Sequence, residues 1–250
     1  IVMNGKKEEK TKSMKVLVTG HKGFIGTRLC GKLKSIGHIV LGIDVKEGTD
    51  ILTAQLPKAD FVIHLAGIGG VRESLADPTR YWNNNVEGTK RIIEHYQDVR
   101  VLVAGSSSQY EPELNPYAAS KHIIEFIPHP NILFMRFHTV YSESPRAKMF
   151  FDKLLSGTLE YTTTHERDFI HLEDLTDGII LLMDKKLTGN IDIGTGTCVT
   201  IKDIMPDLPV KENTIGERQK TQANTYLMDK LGFKPKYTVE KFLKEQGFKK

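Results

Sequence analysis

The chain has 250 residues, 39% of them apolar, and a formal net charge of +4. That composition suits one domain with a minor lobe around a sizeable core and excludes a fibrous or wholly disordered chain. No apolar run reaches the ~20 residues that span a bilayer. No hydrophobic leader core stands near the start, and the scattered charge gives no pointer to nucleic acid.

Residues 1–13 carry Lys6, Lys7, Lys10 and Lys12 against Glu8 and Glu9 without periodicity, so a disordered tail is expected there. Met14 directly precedes the first apolar run and reads as the native start, which mass spectrometry of the native protein checks. The run at 15–19 then meets a turn punctuated by Gly20, Gly23 and Gly26, and an amphipathic segment follows at 27–36. Strand, tight turn and helix start suit a phosphate: the helix N-terminus offers free N–H groups and the positive end of its dipole. The spacing is G-x-x-G-x-x-G, and a glycine-rich turn with no ligand is the plain alternative. A second run at 38–43 ends in Asp44, 18 residues after Gly26. A carboxylate there can accept from adenosine ribose hydroxyls and repels a 2′-phosphate, which favours NAD over NADP. Lys46 tempers that preference, and a solvated strand-end aspartate is the alternative reading.

Strands are expected near 15–19, 39–43, 60–65, 100–104, 131–137 and 191–193. Helices are expected near 24–36, 78–96, 116–126, 146–156, 173–184, 200–204, 224–231 and 239–246. Strands alternating with helices predict an α/β fold, a doubly wound parallel sheet covered on both faces, with the ligand across the strands' carboxyl ends. Cys30 and Cys198 lie far apart without a CxxC, which suits a reducing cytoplasm. The histidines show no metal spacing, so no metal is expected, and His64, His122 and His171 read as packed or capping residues. There is no G-x-S-x-G elbow for a serine hydrolase.

The pattern Y-x-x-x-K occurs three times, at Tyr117/Lys121, Tyr226/Lys230 and Tyr237/Lys241. The i, i+4 spacing puts both residues on one helix face. Only the first pair follows a buried strand that ends in a serine run, Ser106-Ser107-Ser108. Asn115 can cap that helix and Pro116 suits its first turn. The dipole's positive field, the neighbouring Lys121 cation and, if bound, an oxidised nicotinamide are expected to lower the phenol pKa of Tyr117 and fit it as a general base.

An ordered series of motifs runs along 14–250: VTGHKGFIG (18–26), Asp44, Asp50-Ile51, HLAG (64–67), Asp77-Pro78 to Thr89, the serine run, YAASK (117–121), MRFHTVYS (135–142), RDFIHLEDL (167–175) and LGFKP (231–235). By these the chain resembles the extended short-chain dehydrogenase/reductase superfamily, in its NAD-dependent nucleotide-sugar epimerase/dehydratase branch. The resemblance implies a Rossmann-type fold with a small C-terminal substrate lobe. A cofactor domain at 14–140 would regain 167–195, leaving 141–166 and 196–250 to the lobe. It implies that Gly20, Gly23, Phe24, Ile25 and Gly26 hold the NAD pyrophosphate, Asp44 the ribose, and Asp50 with Ile51 the adenine. Leu65, Ala66 and Gly67 would line the cofactor, Asn85 would lie on the nicotinamide side, and Lys121 would bind the nicotinamide ribose. Tyr117 would be the base, with Ser106, or else Ser107, as its hydroxyl partner. Ser107, Ser108, His138 and Arg167 would meet a nucleotide-sugar substrate. The implied reaction is a 4-epimerase-like transient oxidation of a sugar hydroxyl. A keto-sugar-nucleotide reductase or dehydratase, or a non-catalytic dinucleotide-binding relative, is the alternative. The apolar pattern Tyr81, Val86, Ile92, Ile93 and Tyr96 reads as core or as a dimer face, and a homodimer through 78–96 and 116–126 is expected.

The chain departs from the family pattern at four places. The serine run and Tyr117 are only 11 residues apart, so a loop is trimmed. His138 stands where relatives carry asparagine, either as a ligand contact or as a filled core position. The late arginine before a P-G-D/E segment is missing from the stretch at 213–217, and Arg218 is the candidate substitute. The chain is short for the branch, mainly in the substrate lobe. Arg167 keeps two readings, a diphosphate contact or a salt bridge to Asp168 or Asp174. The serine run lacks the acidic residues that elimination or decarboxylation needs in relatives, which favours redox or epimerisation over them.

Overall fold

The computed structural model describes residues 12–212 and 215–248, so the tail expected at 1–13 lies, except for residues 12 and 13, outside the described residues. Six parallel strands form the main sheet: β1 (Lys15–Thr19), β2 (Ile39–Ile43), β3 (Phe61–His64), β4 (Arg100–Ser106), β5 (Ile132–Phe137) and, after two further strands in the chain, β8 (Gly189–Ile193). Their order is β2-β1-β3-β4-β5-β8, so the winding reverses between β1 and β3, the position at which open sheets of this kind form a ligand crevice outside the strands' carboxyl ends.

Side-chain alternation builds a core on each face. Val16, Val18, Ile63, Leu102 and Met135 point to one face, against Leu29 and Leu33 of α1 (Phe24–Ser35) and Leu175, Ile179 and Leu182 of α7 (Leu172–Met183). Leu17, Val62, Val101, Val103 and Phe134 point to the other, against Ile92, Ile93 and Tyr96. Two-sided burial is why these strands are nearly continuous apolar runs.

The helix expected over 78–96 is three pieces: α3 (Pro78–Trp82), a π turn (Asn83–Glu87) and α4 (Gly88–His95), after an unexpected α2 (Val71–Ala76). Its apolar residues are core and not a dimer face: Tyr81, Val86, Ile92, Ile93 and Tyr96 are all buried, and the Tyr96 hydroxyl donates to the Pro57 carbonyl at 2.6 Å. Next come α5 (Pro116–Ile123), closed by a 3-10 turn (Ile124–Phe126), and α6 (Phe150–Leu155), shorter than the 146–156 expected.

Beyond β5 the chain holds strands that periodicity does not reveal: β6 (Thr139–Tyr141), β7 (Glu166–His171), β9 (Cys198–Thr200) and β10 (Lys220–Thr221). β7 pairs with β6 and β10 in parallel and with β9 in antiparallel fashion. It belongs to both halves: Ile170 packs into the main core, and Phe169 joins Tyr141, Phe151, Leu154 and Phe242 in a separate aromatic cluster. The remaining helices are α8 (Ile201–Ile204) and α10 (Val239–Glu245), which pack into that aromatic cluster, and α9 (Tyr226–Lys230), whose Met228 packs into the main core. No helix among the described residues is long and apolar enough to cross a membrane.

Candidate active site

The βα turn after β1 is built by backbone. Gly20 N–H donates to the Ile43 carbonyl at 2.8 Å and Gly23 N–H to the Gly20 carbonyl at 2.9 Å. A Cβ on Gly26 would lie 2.2 Å from the Gly20 carbonyl oxygen, so only glycine lets α1 start this close to β1. At the N-cap, Gly23, no side chain caps the helix, and its first turn holds no acidic residue. The opening amides of α1, at Phe24 and Ile25, are therefore left to an external anion, and the dipole favours one there. Asp44, 7% exposed at the end of β2, accepts from Lys22 N–H and Lys46 N–H, both at 2.9 Å. Lys46 Nζ donates to the Lys22 carbonyl at 2.9 Å. Asp50 caps its own turn by accepting from Leu52 N–H at 2.8 Å, and Ile51 is buried against Gly88.

The loop after β3 closes the other side of the crevice. Ala66 N–H donates to Thr19 Oγ1 at 3.1 Å, which leaves the Thr19 hydroxyl proton for His64 Nδ1 at 2.7 Å. His64 Nε2 then donates to Thr89 Oγ1 at 3.0 Å, and Thr89 donates to the Asn85 carbonyl at 2.6 Å. The chain is satisfied only with a neutral imidazole protonated at Nε2. Burial, helped by the Lys121 charge, accordingly pushes the His64 pKa down to about 3. Motif reading places His64 among packed residues but misses that this relay joins β1, β3 and the π turn. The T-G and H-L-A-G motifs on either side were its available signal.

Asn85 sits in that π turn, an irregularity that often marks functional sites. Its Oδ1 accepts from Ile68 N–H at 2.9 Å, and its Nδ2 donates to Ser120 Oγ at 2.9 Å. A Cβ on Gly67 would lie 2.9 Å from Asn85 Oδ1 and 3.4 Å from Lys121 Nζ, so Gly67, Asn85 and Lys121 share one small space. Leu65 follows directly, its N–H donating to the Thr19 carbonyl at 3.1 Å.

As expected from sequence, α5 is capped by Asn115, whose side chain accepts from Ala118 N–H at 2.7 Å, with Pro116 in the first turn. Tyr117 projects from its start and is hydrogen-bonded to the Ser106 side chain, with the Tyr81 ring edge-on at 6.1 Å. The protein's own groups do not give the lowering of the Tyr117 pKa expected from Lys121. Burial raises it, and the Ser106 hydrogen bond and the Arg146 charge only oppose the rise. Lys121 is not the neighbouring cation, because its Nζ turns to donate to the Ala104 carbonyl at 2.9 Å. Burial also pushes the Lys121 pKa down to about 8. Arg146, whose Nη2 donates to the Gly69 carbonyl at 2.9 Å, takes the cation's place at Tyr117 and is a residue that motif reading missed.

Ser106 ends β4 and caps the 3-10 turn Ser107–Tyr110: its Oγ accepts from Ser108 N–H at 3.2 Å. Ser107 is buried in that turn and Ser108 is half-buried. His138 is buried, with Nε2 3.3 Å from Asp192 Oδ2 and Nδ1 without a partner. Burial pushes the Asp192 carboxyl up, but hydrogen bonds from His138, Asn224 N–H and Tyr110 outweigh it and hold the pKa below its ordinary value.

Arg167 pairs with Glu217 at 3.5 Å, not with Asp168 or Asp174. Those two carboxylates serve backbone: Asp168 accepts from Thr195, Gly196 and Ala223 N–H, and Asp174 from Lys236 and Tyr237 N–H. Burial lowers the Arg167 pKa, and Glu217 works against it. Arg218 does not stand free as a substitute arginine, since it holds Glu111 and the Ser107 carbonyl. Among the described residues no group of three or more His, Cys, Asp or Glu could hold a metal ion.

Uncapped helix amides, an acidic strand end and a glycine-lined recess at one switch point fit a dinucleotide. Known proteins agree. UDP-glucuronate 4-epimerase of Thermodesulfobacterium geofontis is 27% identical, over 82% of this chain and 82% of its own. Among solved structures, MoeE5 in complex with UDP-glucose and NAD is 28% identical, with a TM-score of 0.79 over 93% of this chain and 97% of that one. UDP-glucuronic acid 4-epimerase from Bacillus cereus, in complex with UDP-glucuronic acid and NAD, is 26% identical, with a TM-score of 0.80 over 93% and 98%. The family model of NAD-dependent epimerases and dehydratases matches residues 16–194. The Rossmann-type sheet and that match together establish that the chain is an enzyme of the NAD-dependent epimerase/dehydratase family.

Proposed function

We propose that the protein is a nucleotide-sugar 4-epimerase that works by transient oxidation of a sugar hydroxyl, with Tyr117 as the base. The observation that carries this reading is the placement of Tyr117 in the first turn of the capped α5, beside Ser106 at the end of β4 and next to the recess shared by Gly67, Asn85 and Lys121. Gly20, Gly23, Phe24, Ile25 and Gly26 hold the pyrophosphate, Asp44 the adenosine ribose, and Asp50 with Ile51 the adenine. Leu65, Ala66 and Gly67 line the cofactor, Asn85 flanks the nicotinamide side, and Lys121 binds the nicotinamide ribose. When bound, NAD would supply the hydride acceptor for the oxidation and, in its reduced form, the hydride donor for the return step. Tyr117 takes the hydroxyl proton and later gives it back, while Ser106 hydrogen-bonds the sugar oxygen as charge develops on it. Ser107, Ser108, His138 and Arg167 face the sugar nucleotide. UDP-sugars are the first substrates to test, because the 26–28% identical solved relatives hold UDP-glucose or UDP-glucuronic acid.

The cofactor domain comprises 14–140 and 167–195, and the substrate lobe 141–166 and 196–250. Free Cys30 and Cys198 suit a reducing cytoplasm. Exposed Trp82, Ile123 and Phe126 on α3, α5 and the 3-10 turn after α5 suit a homodimer face, which sedimentation velocity tests.

The deciding experiment compares the wild-type protein with Tyr117→Phe, mixing each with UDP-glucose and UDP-glucuronate. Wild type interconverts a C4 epimer pair with no net reduced nicotinamide. The variant keeps its NAD and loses about 10³-fold in turnover, within the range of general acid–base catalysis. Turnover that survives in Tyr117→Phe overturns the base assignment, and stoichiometric accumulation of reduced cofactor overturns the epimerase.

A further inference from the structure

The proposed reaction leaves Arg218 without a role, although it is one of the most fully engaged side chains near the serine run. It enters from the segment between Gly216 and β10. Its Nη1 donates to the Ser107 carbonyl at 2.7 Å and its Nε to Glu111 Oε1 at 2.8 Å. One guanidinium thus spans the 3-10 turn from its first residue to the residue after its last. Its face also lies 5.4 Å from the centroid of the Tyr110 ring, and Arg136 lies 4.7 Å from the same ring.

Tyr110 is fixed at its other end as well. Its hydroxyl donates to Asp192 Oδ1 at 2.7 Å and accepts from Arg136 Nη1 at 2.8 Å. Gln109, between Tyr110 and the serines, accepts from Ser106 N–H through Oε1 at 3.1 Å. The turn that presents Ser106 to Tyr117 is therefore held from outside its own sequence. The segment that holds it is fastened twice more: Asn115 Nδ2 donates to the Gly216 carbonyl at 2.8 Å, and Asn224 N–H donates to Asp192 Oδ2 at 2.9 Å. The connection from Tyr110 to α5 is short, so the turn has little sequence of its own with which to define its position.

We propose that Arg218 is a positioning residue: its guanidinium fork holds the Ser106–Ser107 turn against Tyr117, and makes the serine's placement depend on the docked 215–224 segment. The inference rests on the reading of Tyr117 and Ser106 as the reacting pair. An arginine is required because a lysine ammonium, a single point donor, cannot span the Ser107 carbonyl and Glu111 while covering the Tyr110 ring. Misplacement of a reacting group by about 1 Å can cost about 10²-fold in rate.

The test uses NAD-loaded wild type, Arg218→Ala, Arg218→Lys and Tyr117→Phe, with whichever of UDP-glucose and UDP-glucuronate the wild type turns over. Both Arg218 variants are expected to lose about 10- to 100-fold in kcat with KM within about threefold. Ser106, Tyr81 and Arg146 are the groups that face Tyr117, and of these only the Ser106 contact is disturbed. Loosening a hydrogen bond that opposes the raised Tyr117 pKa moves the low-pH limb of the kcat profile to higher pH. Amide exchange of the 105–111 peptide should quicken, with exchange in the β1–β3 sheet unchanged. Wild-type kcat in both variants overturns the inference, as does a rise in KM alone, which would make Arg218 a direct substrate contact. Full rescue by lysine overturns it too, by reducing the role to charge. Should Tyr117→Phe remain active, it is the assignment of the reacting pair that fails, whatever Arg218 does.

Discussion

The turn after β1 and the hub around Asp168 solve the same problem in opposite ways. Both gather backbone N–H groups from separate residues at one point. At the turn, the opening amides of α1 are left without a side-chain cap or an acidic neighbour. At the hub, the protein supplies the anion itself, and the buried Asp168 carboxylate takes the amides of Thr195, Gly196 and Ala223 together with the Thr195 hydroxyl. Asp192 and Asp174 repeat the device on Asn224 and on Lys236 and Tyr237. A site that keeps its amides free is poised for an anionic ligand, and one that fills them internally is a fastening. The first is limited by volume, the second by acceptors.

Breaking the second region costs the most stability. Asp168→Ala leaves three amides without their acceptor, and at ~1–3 kcal/mol for each unmade bond the variant should lose about 3–9 kcal/mol. Urea unfolding measures this, and a loss under 1 kcal/mol means the hub is not the fastening described. Breaking the first region takes only a methyl group. Gly26→Ala sets a Cβ 2.2 Å from the Gly20 carbonyl oxygen, so the α1 start must shift. Overpacking of this kind costs about 1–3 kcal/mol, and the disturbed amides should release NAD from the purified protein. Retained NAD at wild-type stoichiometry would show that the turn is not the anion site.

His64 sharpens the comparison, because it is a fastening inside the ligand region. Its folded pKa is depressed to about 3 by burial. Between the ordinary value near 6.5 and 3 the unfolded chain binds a proton that the folded chain does not. Stability contributed by neutral His64 is thus complete above pH 6.5 and is lost as pH falls toward 3, by ~1.4 kcal/mol per pH unit. At pH 5 the loss attributable to His64 is about 2 kcal/mol relative to pH 7. Subtracting the pH dependence of His64→Gln isolates it, and identical pH slopes in the two proteins contradict the buried neutral relay.

Much of the ligand region was legible in the sequence because its determinants are local. The strands at 15–19, 39–43 and 100–106 are apolar runs bounded by turn residues. The 20–26 turn carries its glycines at fixed spacing, and Asn115-Pro116 announces the start of α5. Such signals arise between residues a few positions apart. Tyr117 and the serine run 106–108 were marked by the same local logic, a capped helix following a buried strand that ends in serine, while the choice of Ser106 within the run came from the family resemblance.

The tertiary structure alone decided the rest. β6 and β9 have three residues each and β10 has two, too few to carry a period, and each exists only because β7 offers it hydrogen bonds. Which carboxylate meets Arg167, where Lys121 Nζ turns, and whether Arg218 is free are set by segments that are distant in sequence. The direction of the Tyr117 shift belongs here too. Spacing puts a cation one helical turn away, but the balance of burial, the Ser106 hydrogen bond and the Arg146 charge depends on distances that only packing creates.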